Sequence, residues 1–283
     1  LTREALRASV DAMRAAGIEE PRLDAELLLA EATGWDRARL AADPEAEIPP
    51  PAARRFGEMV RRRLRREPVA YIIGRRGFRH LEFAVDPRVL IPRPETELLV
   101  ELALELQPRR VLDVGTGSGA IALAIASELP GCEVVACDTS SSALEVARAN
   151  AERLGLAGRV ELVEGTLPGG AGEFDLIVAN LPYVSEAEWG DLEPEVTEWE
   201  PREALLAGPD GLAAIRSLLS DRLRVSSRIA RVNTKSAEGR TVALEVGDGQ
   251  AEGVAGLMRE AGYEAIEMRR DLAGIERVVV GRR

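Results

Sequence analysis

The chain has 283 residues, 46% hydrophobic and 30% charged, and a formal net charge of −11. That is enough apolar material for a sizeable core in one or two domains, while the longest apolar runs, such as Ile121 to Ala126, are far too short to span a membrane. Residues 1–75 are nearly balanced, with 14 basic and 13 acidic residues, so the acidic excess lies in the remainder; this argues against broad phosphate-backbone binding and suits a protein or peptide substrate.

The first ten residues, "LTREALRASV", are charged and lack the apolar core of a signal peptide. Leu6, Val10 and Met13 recur at helical spacing, with Gly17 as a stop. Pro21 opens a second helix through "RLDAELLLAEAT", ended by Gly34, and a third runs through "AARRFGEMVRRRLRR" after the loop "DPEAEIPPP". The arginines of this third helix read as a solvated face. Together these helices predict a small bundle over residues 1–70. In residues 71–93, "LEFAV" and "RVLI" flank the turn-like "DPR", which predicts a β-hairpin linker. Pro92 and Pro94 stop it, and a helix over Glu95 to Leu106 follows.

From Arg110 onward strands and helices alternate. "RVLDV", "EVVAC", "RVELVE", "FDLIVAN", "TVALEV", "YEAIEMR" and "RVVVGR" are seven strand candidates. Alternation of this kind predicts an α/β domain over residues 94–283 with a mostly parallel sheet. The last two strands have no helix between them and are expected to be antiparallel. Cys132 and Cys137 match no metal spacing and read as reduced thiols of a cytoplasmic protein. The single histidine, His80, argues against a histidine-based metal site or triad.

Two features point to a nucleoside ligand. "LDVGTGSGA" (112–120) joins a strand to a helix, and Gly115, Gly117 and Gly119 let the backbone turn sharply and approach a ligand. Asp138 ends the next strand, where a carboxylate can accept hydrogen bonds from a ribose diol. Both pieces suit a nicotinamide dinucleotide or S-adenosylmethionine. Asn180, Leu181, Pro182 and Tyr183, just past a strand expected to stop at Ala179, favour the second. An enzyme that methylates a planar nitrogen needs an acceptor for each N–H and a ring to cover the plane. The Asn180 oxygen, a turn carbonyl and Tyr183 can supply them, with positioning as the main source of rate.

The segments "VLIPRPETELLVE", "LDVGTGSGAIALA", "NLPY", "EPREALLAGPDGL", "ALEVG" and "RDLAGIERVVVGR" together resemble the HemK/PrmC family, whose members methylate the glutamine side-chain nitrogen in the Gly-Gly-Gln motif of peptide chain release factors. The resemblance covers nearly the whole chain. It implies a class I, Rossmann-like methyltransferase domain with a seven-stranded sheet and a release-factor-docking helical domain. It implies S-adenosylmethionine bound by Gly115, Thr116, Gly117, Ser118, Gly119, Asp138, Thr166, Leu167 and Asn180. It also implies a substrate glutamine held by Asn180, Leu181, Pro182 and Tyr183, of which Asn180, Pro182 and Tyr183 are the catalytic set. A monomer is expected, with no membrane and no direct nucleic-acid binding. Three departures stand out. Leu181 replaces the family's usual proline. Thr166 and Leu167 occupy a stretch where the family often has an acid. Residues 222–240, containing the only lysine, Lys235, replace a short turn and read as an exposed mobile loop. Two alternatives remain: an adenine N-methyltransferase of nucleic acid, because the tetrapeptide alone does not fix the substrate, and a binding scaffold with weak catalysis.

Overall fold

The computed structural model describes residues 1–166, 174–220 and 241–283. The expected loop over residues 222–240 and the candidate Leu167 therefore lie outside the described residues. The chain divides into two compact units, Leu1–Arg75 with Glu193–Trp199 and Arg76–Leu192 with Glu200–Arg283.

In the first unit, α1 (Thr2–Ala15), α2 (Pro21–Thr33), α3 (Arg37–Ala42), α4 (Pro50–Arg63) and α5 (Val69–Ile73) enclose an apolar core. Leu6, Val10 and Met13 of α1 meet Leu28 and Leu29 of α2 and Phe56 of α4 in that core. Gly34 closes α2 at a φ of 72°, a left-handed conformation that glycine adopts without a Cβ clash. Helix α3 was not legible in the sequence. Its six residues are started by Asp36, whose carboxylate accepts from Arg39 N at 2.7 Å.

The hairpin differs from expectation. Strands β1 (Arg75–Phe78) and β2 (Leu81–Ala84) pair across the turn Arg79–His80, so the partner of "LEFA" is the preceding "RRGF", not the following "RVLI". Phe78 and Phe83 meet edge to face with ring centroids 6.1 Å apart, which gives this pairing a buried side. Asp86–Arg88 does turn, with Val89 N donating to the Asp86 carbonyl at 3.1 Å. Beyond it, Ile91 N donates to the Glu200 carboxylate at 3.1 Å, and Pro92 and Pro94 have no N–H for a ladder. Pro94–Thr96 then form a short 3-10 turn leading into α6 (Glu97–Leu106).

The second unit continues with β3 (Arg110–Val114), α7 (Ala120–Glu128), β4 (Glu133–Asp138), α8 (Ser141–Arg153), β5 (Val160–Glu164) and β6 (Leu176–Ala179). The chain then enters the helical unit as α9 (Pro194–Trp199) and returns. Helix α10 is described over 213–220, and β7 (Thr241–Glu245), α11 (Ala251–Glu260), β8 (Ala265–Arg270) and β9 (Glu276–Arg282) complete the chain. The seven strands lie in the order β5-β4-β3-β6-β7-β9-β8. The first five are parallel, and β9 is antiparallel to both β7 and β8, as the missing crossover helix required. Strand order reverses direction between β3 and β6. At such a switch point the loops after neighbouring strands part and leave a crevice at their carboxyl ends. The central parallel strands β3, β6 and β7 are buried on both faces, with Leu112, Ile177, Val242 and Leu244 fully enclosed.

In the helical unit Arg63 is buried between two acids. Its Nε donates to Asp24 Oδ2 at 2.7 Å and its Nη1 lies 2.7 Å from Glu195 Oε1. Burial pushes the Asp24 carboxyl up, and its bond to Arg63 opposes that. Removing one member of such a group leaves an uncompensated buried charge. Arg63→Met is therefore expected to cost the helical unit about 3–5 kcal/mol, read as an earlier unfolding transition in urea. A midpoint equal to that of the unsubstituted protein would show that the group is solvated.

Candidate active site

The register sets the site. Val114 of β3 pairs with Cys137 of β4 and with Ala179 of β6, so Gly115, Asp138 and Asn180 follow side by side at three adjacent carboxyl ends. Gly115, Gly117 and Gly119 have φ values of 75°, 55° and 83°. A side chain at Gly115 would press on Leu181 Cδ2 at 3.2 Å, so the loop needs a residue without one to pass the tetrapeptide.

Asp138 braces two turns. Its Oδ2 accepts from Gly117 N and its Oδ1 from Ser140 N, both at 2.9 Å. Each carboxylate oxygen has a second lone-pair direction, so the group can still accept from a ligand. Asp113, fully buried beneath the loop, accepts from Thr116 Oγ1 at 2.7 Å and from Ala122 N at 3.2 Å, while its Oδ1 is without a partner. Burial pushes its carboxyl up to about 7, against the pull of those two hydrogen bonds.

The tetrapeptide is held from several sides. Asn180 Nδ2 donates to Thr96 Oγ1 at 3.0 Å. Gln250 Nε2 donates to the Tyr183 carbonyl at 2.8 Å, and Gln250 Oε1 accepts from Gly247 N at 3.0 Å. A Cβ on Gly211 would lie 2.2 Å from that carbonyl, and one on Gly247 would lie 3.2 Å from Tyr183 Cδ2, so both glycines leave room for the tyrosine. Burial first, and then Glu245, pushes the Tyr183 hydroxyl up to about 12, so it stays protonated near neutrality. Glu245 ends β7 with 2% of its surface exposed. Burial raises its carboxyl to about 7, a hydrogen bond from Thr96 opposes this, Glu95 raises it further, and Arg277 and Arg93 lower it. Arg93 is itself ion-paired with the buried Glu200.

A cavity of about 290 Å³ lies at these strand ends. Gly115, Gly117, Asp138, Thr166, Asn180, Leu181 and Pro182 line it, with an apolar wall that includes Val89, Leu90 and Leu218. Thr116, Ser118, Gly119 and Tyr183 are not in its lining. Thr116 turns inward to Asp113, and the Ser118 carbonyl accepts from Asn150 Nδ2 at 2.9 Å. Thr96, Glu245 and Gln250 support the tetrapeptide, and nothing in their local spacing singled them out. Thr139, Ser140 and Glu203 also border the cavity without a local motif to announce them. Among the described residues no cluster of three His, Cys, Asp or Glu could hold a metal ion, and no helix is long and apolar enough to cross a membrane.

A mostly parallel seven-stranded sheet with an antiparallel end, a glycine loop after its central strand and an acid ending the next strand define a class I methyltransferase. The catalytic domain of hMettl16 in complex with MAT2A 3′UTR hairpin 6 shares this fold, with a TM-score of 0.56 at 15% identity over 70% of this chain and 74% of that one. Residues 4–74 match the PrmC N-terminal domain, and residues 94–193 the methyltransferase small domain. Release factor glutamine methyltransferases of Caulobacter vibrioides and Moorella thermoacetica are 40% and 43% identical to the chain. The first likeness covers 98% of this chain and 95% of that protein, the second 97% and 96%. The chain belongs to the release factor glutamine methyltransferase family.

The raised carboxyl of Glu245 has a consequence for stability. A folded-state value of about 7 lies above the ordinary carboxyl value of 4.5, so the folded state holds that proton more tightly than the unfolded chain. The resulting stabilisation is complete below the unfolded value and is lost as pH rises through about 7. Between pH 5 and pH 8 the melting temperature should therefore fall less steeply in Glu245→Gln than in the unsubstituted protein, with Asp113 contributing equally to both. Parallel profiles would show that Glu245 titrates in its ordinary range.

Proposed function

We propose that this chain transfers a methyl group from S-adenosylmethionine to the side-chain amide nitrogen, N5, of the glutamine in the Gly-Gly-Gln motif of peptide chain release factors. The observation that carries this reading is Asn180 on the cavity wall, beside Gly115 and Asp138, with its Nδ2 tied to Thr96. Full-length likeness to release factor glutamine methyltransferases supports the same substrate.

The lining suits the cofactor. Gly115 and Gly117 offer a loop without side chains, Asp138 has lone pairs for a ribose diol, and Thr166 borders the same space. Thr116, Ser118 and Gly119 shape the loop from behind, and Leu167 follows Thr166 in sequence. When bound, S-adenosylmethionine supplies a methyl group on a positively charged sulfur. The protein's task is to present an amide nitrogen whose lone pair is delocalised and weakly nucleophilic. With Nδ2 engaged, Asn180 Oδ1 is the end of that side chain left to accept a substrate N–H. Gln250 occupies the Tyr183 carbonyl, whereas the Leu181 carbonyl takes no hydrogen bond among the described residues and can accept the second N–H. Pro182 stiffens the turn, and the Tyr183 ring covers the amide plane. Tyr183 stays protonated, so it positions the amide and does not act as a base. Catalysis then rests on orientation and on hydrogen bonds that strengthen as the nitrogen attacks.

The helical unit serves as the docking surface for the release factor, supplying affinity that a three-residue motif lacks. The reading also takes the protein as a cytoplasmic monomer. The acidic excess after residue 75 favours a protein substrate over ribosomal RNA.

Two substitutions test this reading. Incubated with S-adenosylmethionine, a release factor should gain one methyl on that glutamine by mass spectrometry. Asn180→Ala should lower kcat by about a hundredfold, the scale of losing one preorganised hydrogen-bonding group, while S-adenosylhomocysteine affinity stays near its starting value. Asp138→Ala should weaken S-adenosylhomocysteine at least about tenfold in calorimetric titration, because a charged acceptor and the brace on Gly117 are lost together. Methylation of naked ribosomal RNA with none on release factor would replace the glutamine reading by the adenine one.

A further inference from the structure

The side chain of Gln250 makes two hydrogen bonds at the β7–α11 turn, both to backbone. Its Nε2 donates to the Tyr183 carbonyl at 2.8 Å, and its Oε1 accepts from Gly247 N at 3.0 Å. A carbonyl can only accept and a backbone N–H can only donate, so these partners fix which end of the Gln250 amide faces which. One side chain thus ties the main chain of Tyr183 to the residue that lies against its ring, because a Cβ on Gly247 would stand 3.2 Å from Tyr183 Cδ2. A third segment closes the arrangement. Val184 N donates to the Leu205 carbonyl and Ala207 N to the Val184 carbonyl, both at 2.9 Å, which lays the loop 205–211 along the chain leaving Tyr183. At the end of that loop Gly211 takes a φ of 72°, and a Cβ there would lie 2.2 Å from the Tyr183 carbonyl oxygen and 2.7 Å from Gln250 Nε2. The bond between Gln250 and Tyr183 therefore needs residue 211 to have no side chain. Gly211, Gly247 and Gln250 all stand outside the lining of the cavity, so the Tyr183 carbonyl is held by the fold.

We propose that Gln250 and Gly211 are positioning residues that lock the Tyr183 peptide in one orientation and thereby fix where its ring stands against the substrate amide. Gln250 supplies the bond, and Gly211 leaves the space in which it forms. The kinetic consequence rests on the glutamine reading, whereas the lock itself does not.

The test uses the full chain and matched variants. Gln250→Glu keeps an oxygen that can accept from Gly247 N and replaces the donor to Tyr183 by a second oxygen, so it isolates the bond to the carbonyl. Gly208→Ala and Gly211→Ala add the same methyl at two left-handed positions of one loop, with φ values of 77° and 72°. At Gly208 the new Cβ would meet only Ala213 Cβ, at 3.5 Å, an ordinary contact, whereas at Gly211 it displaces the Tyr183 carbonyl. Backbone strain should lower the melting temperature of both, but only Gly211→Ala should affect catalysis. In Gln250→Glu and Gly211→Ala, kcat for release-factor methylation should fall about tenfold to a hundredfold, the scale of a misplaced reacting group. KM and S-adenosylhomocysteine affinity should stay within about threefold, a split that points to loss of an interaction made in the transition state. Gly208→Ala should keep the kcat of the unsubstituted protein. The two losses should not add fully in the double variant, because both act through one bond. A second readout needs no substrate. The chain has three tyrosines, so fluorotyrosine labelling gives three fluorine resonances, and that of Tyr183 is the one missing in Tyr183→Phe. It should move in Gln250→Glu and Gly211→Ala and keep its position in Gly208→Ala. An unchanged kcat in Gln250→Glu, an equal loss of kcat in the two alanine variants, or a resonance that moves in all three variants or in none would overturn the proposal. A resonance that moves as expected, while the unsubstituted protein methylates no release factor, would uphold the positioning and remove the glutamine reading alone.

Discussion

Asn180 Nδ2 donates to Thr96 Oγ1 across 3.0 Å, and this bond joins stretches of chain 84 residues apart. Its existence requires much of the surrounding architecture. Strand β6 must end at Ala179 for Asn180 to leave the ladder, and β7 lies beside it so that Glu245 ends next to Asn180. The 3-10 turn must bring Thr96 under both strands, and that turn is tied down through Arg93 and Ile91 to Glu200. Thr96, Glu245 and Glu200 are buried, where an unmatched donor or acceptor would cost about 1–3 kcal/mol. Burial therefore makes the arrangement unforgiving as well as rigid. The same low-dielectric setting that raises the carboxyl of Glu245 keeps Tyr183 protonated.

The glycine loop is fixed by a similar device on the other side of β3. Asp138 binds Gly117 N with one oxygen and Ser140 N with the other, so one carboxylate sets both the β3–α7 and β4–α8 turns. Asp113 holds Thr116 and the first turn of α7 from below. Thr116 is thus used by the fold, which explains why it does not line the cavity although it sits between two glycines that shape the loop. The strand-end register brings these two rigid systems, loop and tetrapeptide, into contact at Gly115 and Leu181. Leucine fills the contact, while the following Pro182 retains the stiffness of the turn.

Much of this was legible in the sequence because it is carried by local patterns. The strand–helix alternation gave the parallel sheet, the missing crossover helix gave the antiparallel pair, and Asn180 after "FDLIVA" marked a strand end. What was not legible depends on distant partners. The pairing of "LEFA" with "RRGF" turns on Phe78 meeting Phe83, and "RVLI" is withdrawn from a ladder by Glu200, more than a hundred residues later. Glu245 reads as an ordinary residue at the end of "TVALE" until the register puts it beside Asn180. Gln250 has no local signature, and Thr96 is marked only as part of the segment "PRPETE". Only the full-length resemblance had drawn "PRPETE", "NLPY" and "ALEVG" into one set, and the fold supplies the physical reason that they belong together.

The path of the chain after Tyr183 adds a last constraint. Val184 bridges to Leu206, and the intervening chain leaves the sheet unit, enters the helical unit as α9, and returns at Glu200. Within the helical unit, Arg63 and Arg66 bind Glu195, Arg66 also binds Glu193, and Trp199 Nε1 donates to the Arg65 carbonyl at 3.3 Å. Glu200, the next residue, then anchors Ile91 and Arg93. A helix of six residues has little stability of its own, so α9 depends on those arginines for its place. Deleting the helical unit would therefore remove the surface proposed to dock the release factor and also release the segment that leads from the tetrapeptide to Glu200. Loss of activity on truncation would not distinguish the two effects. Substituting exposed arginines of α4, such as Arg54 and Arg61, leaves the Arg63 and Arg66 pairs intact and confines the change to the surface. The arginine run of α4 is thus divided by burial: Arg63 is held between Asp24 and Glu195, whereas Arg54 and Arg61 are exposed.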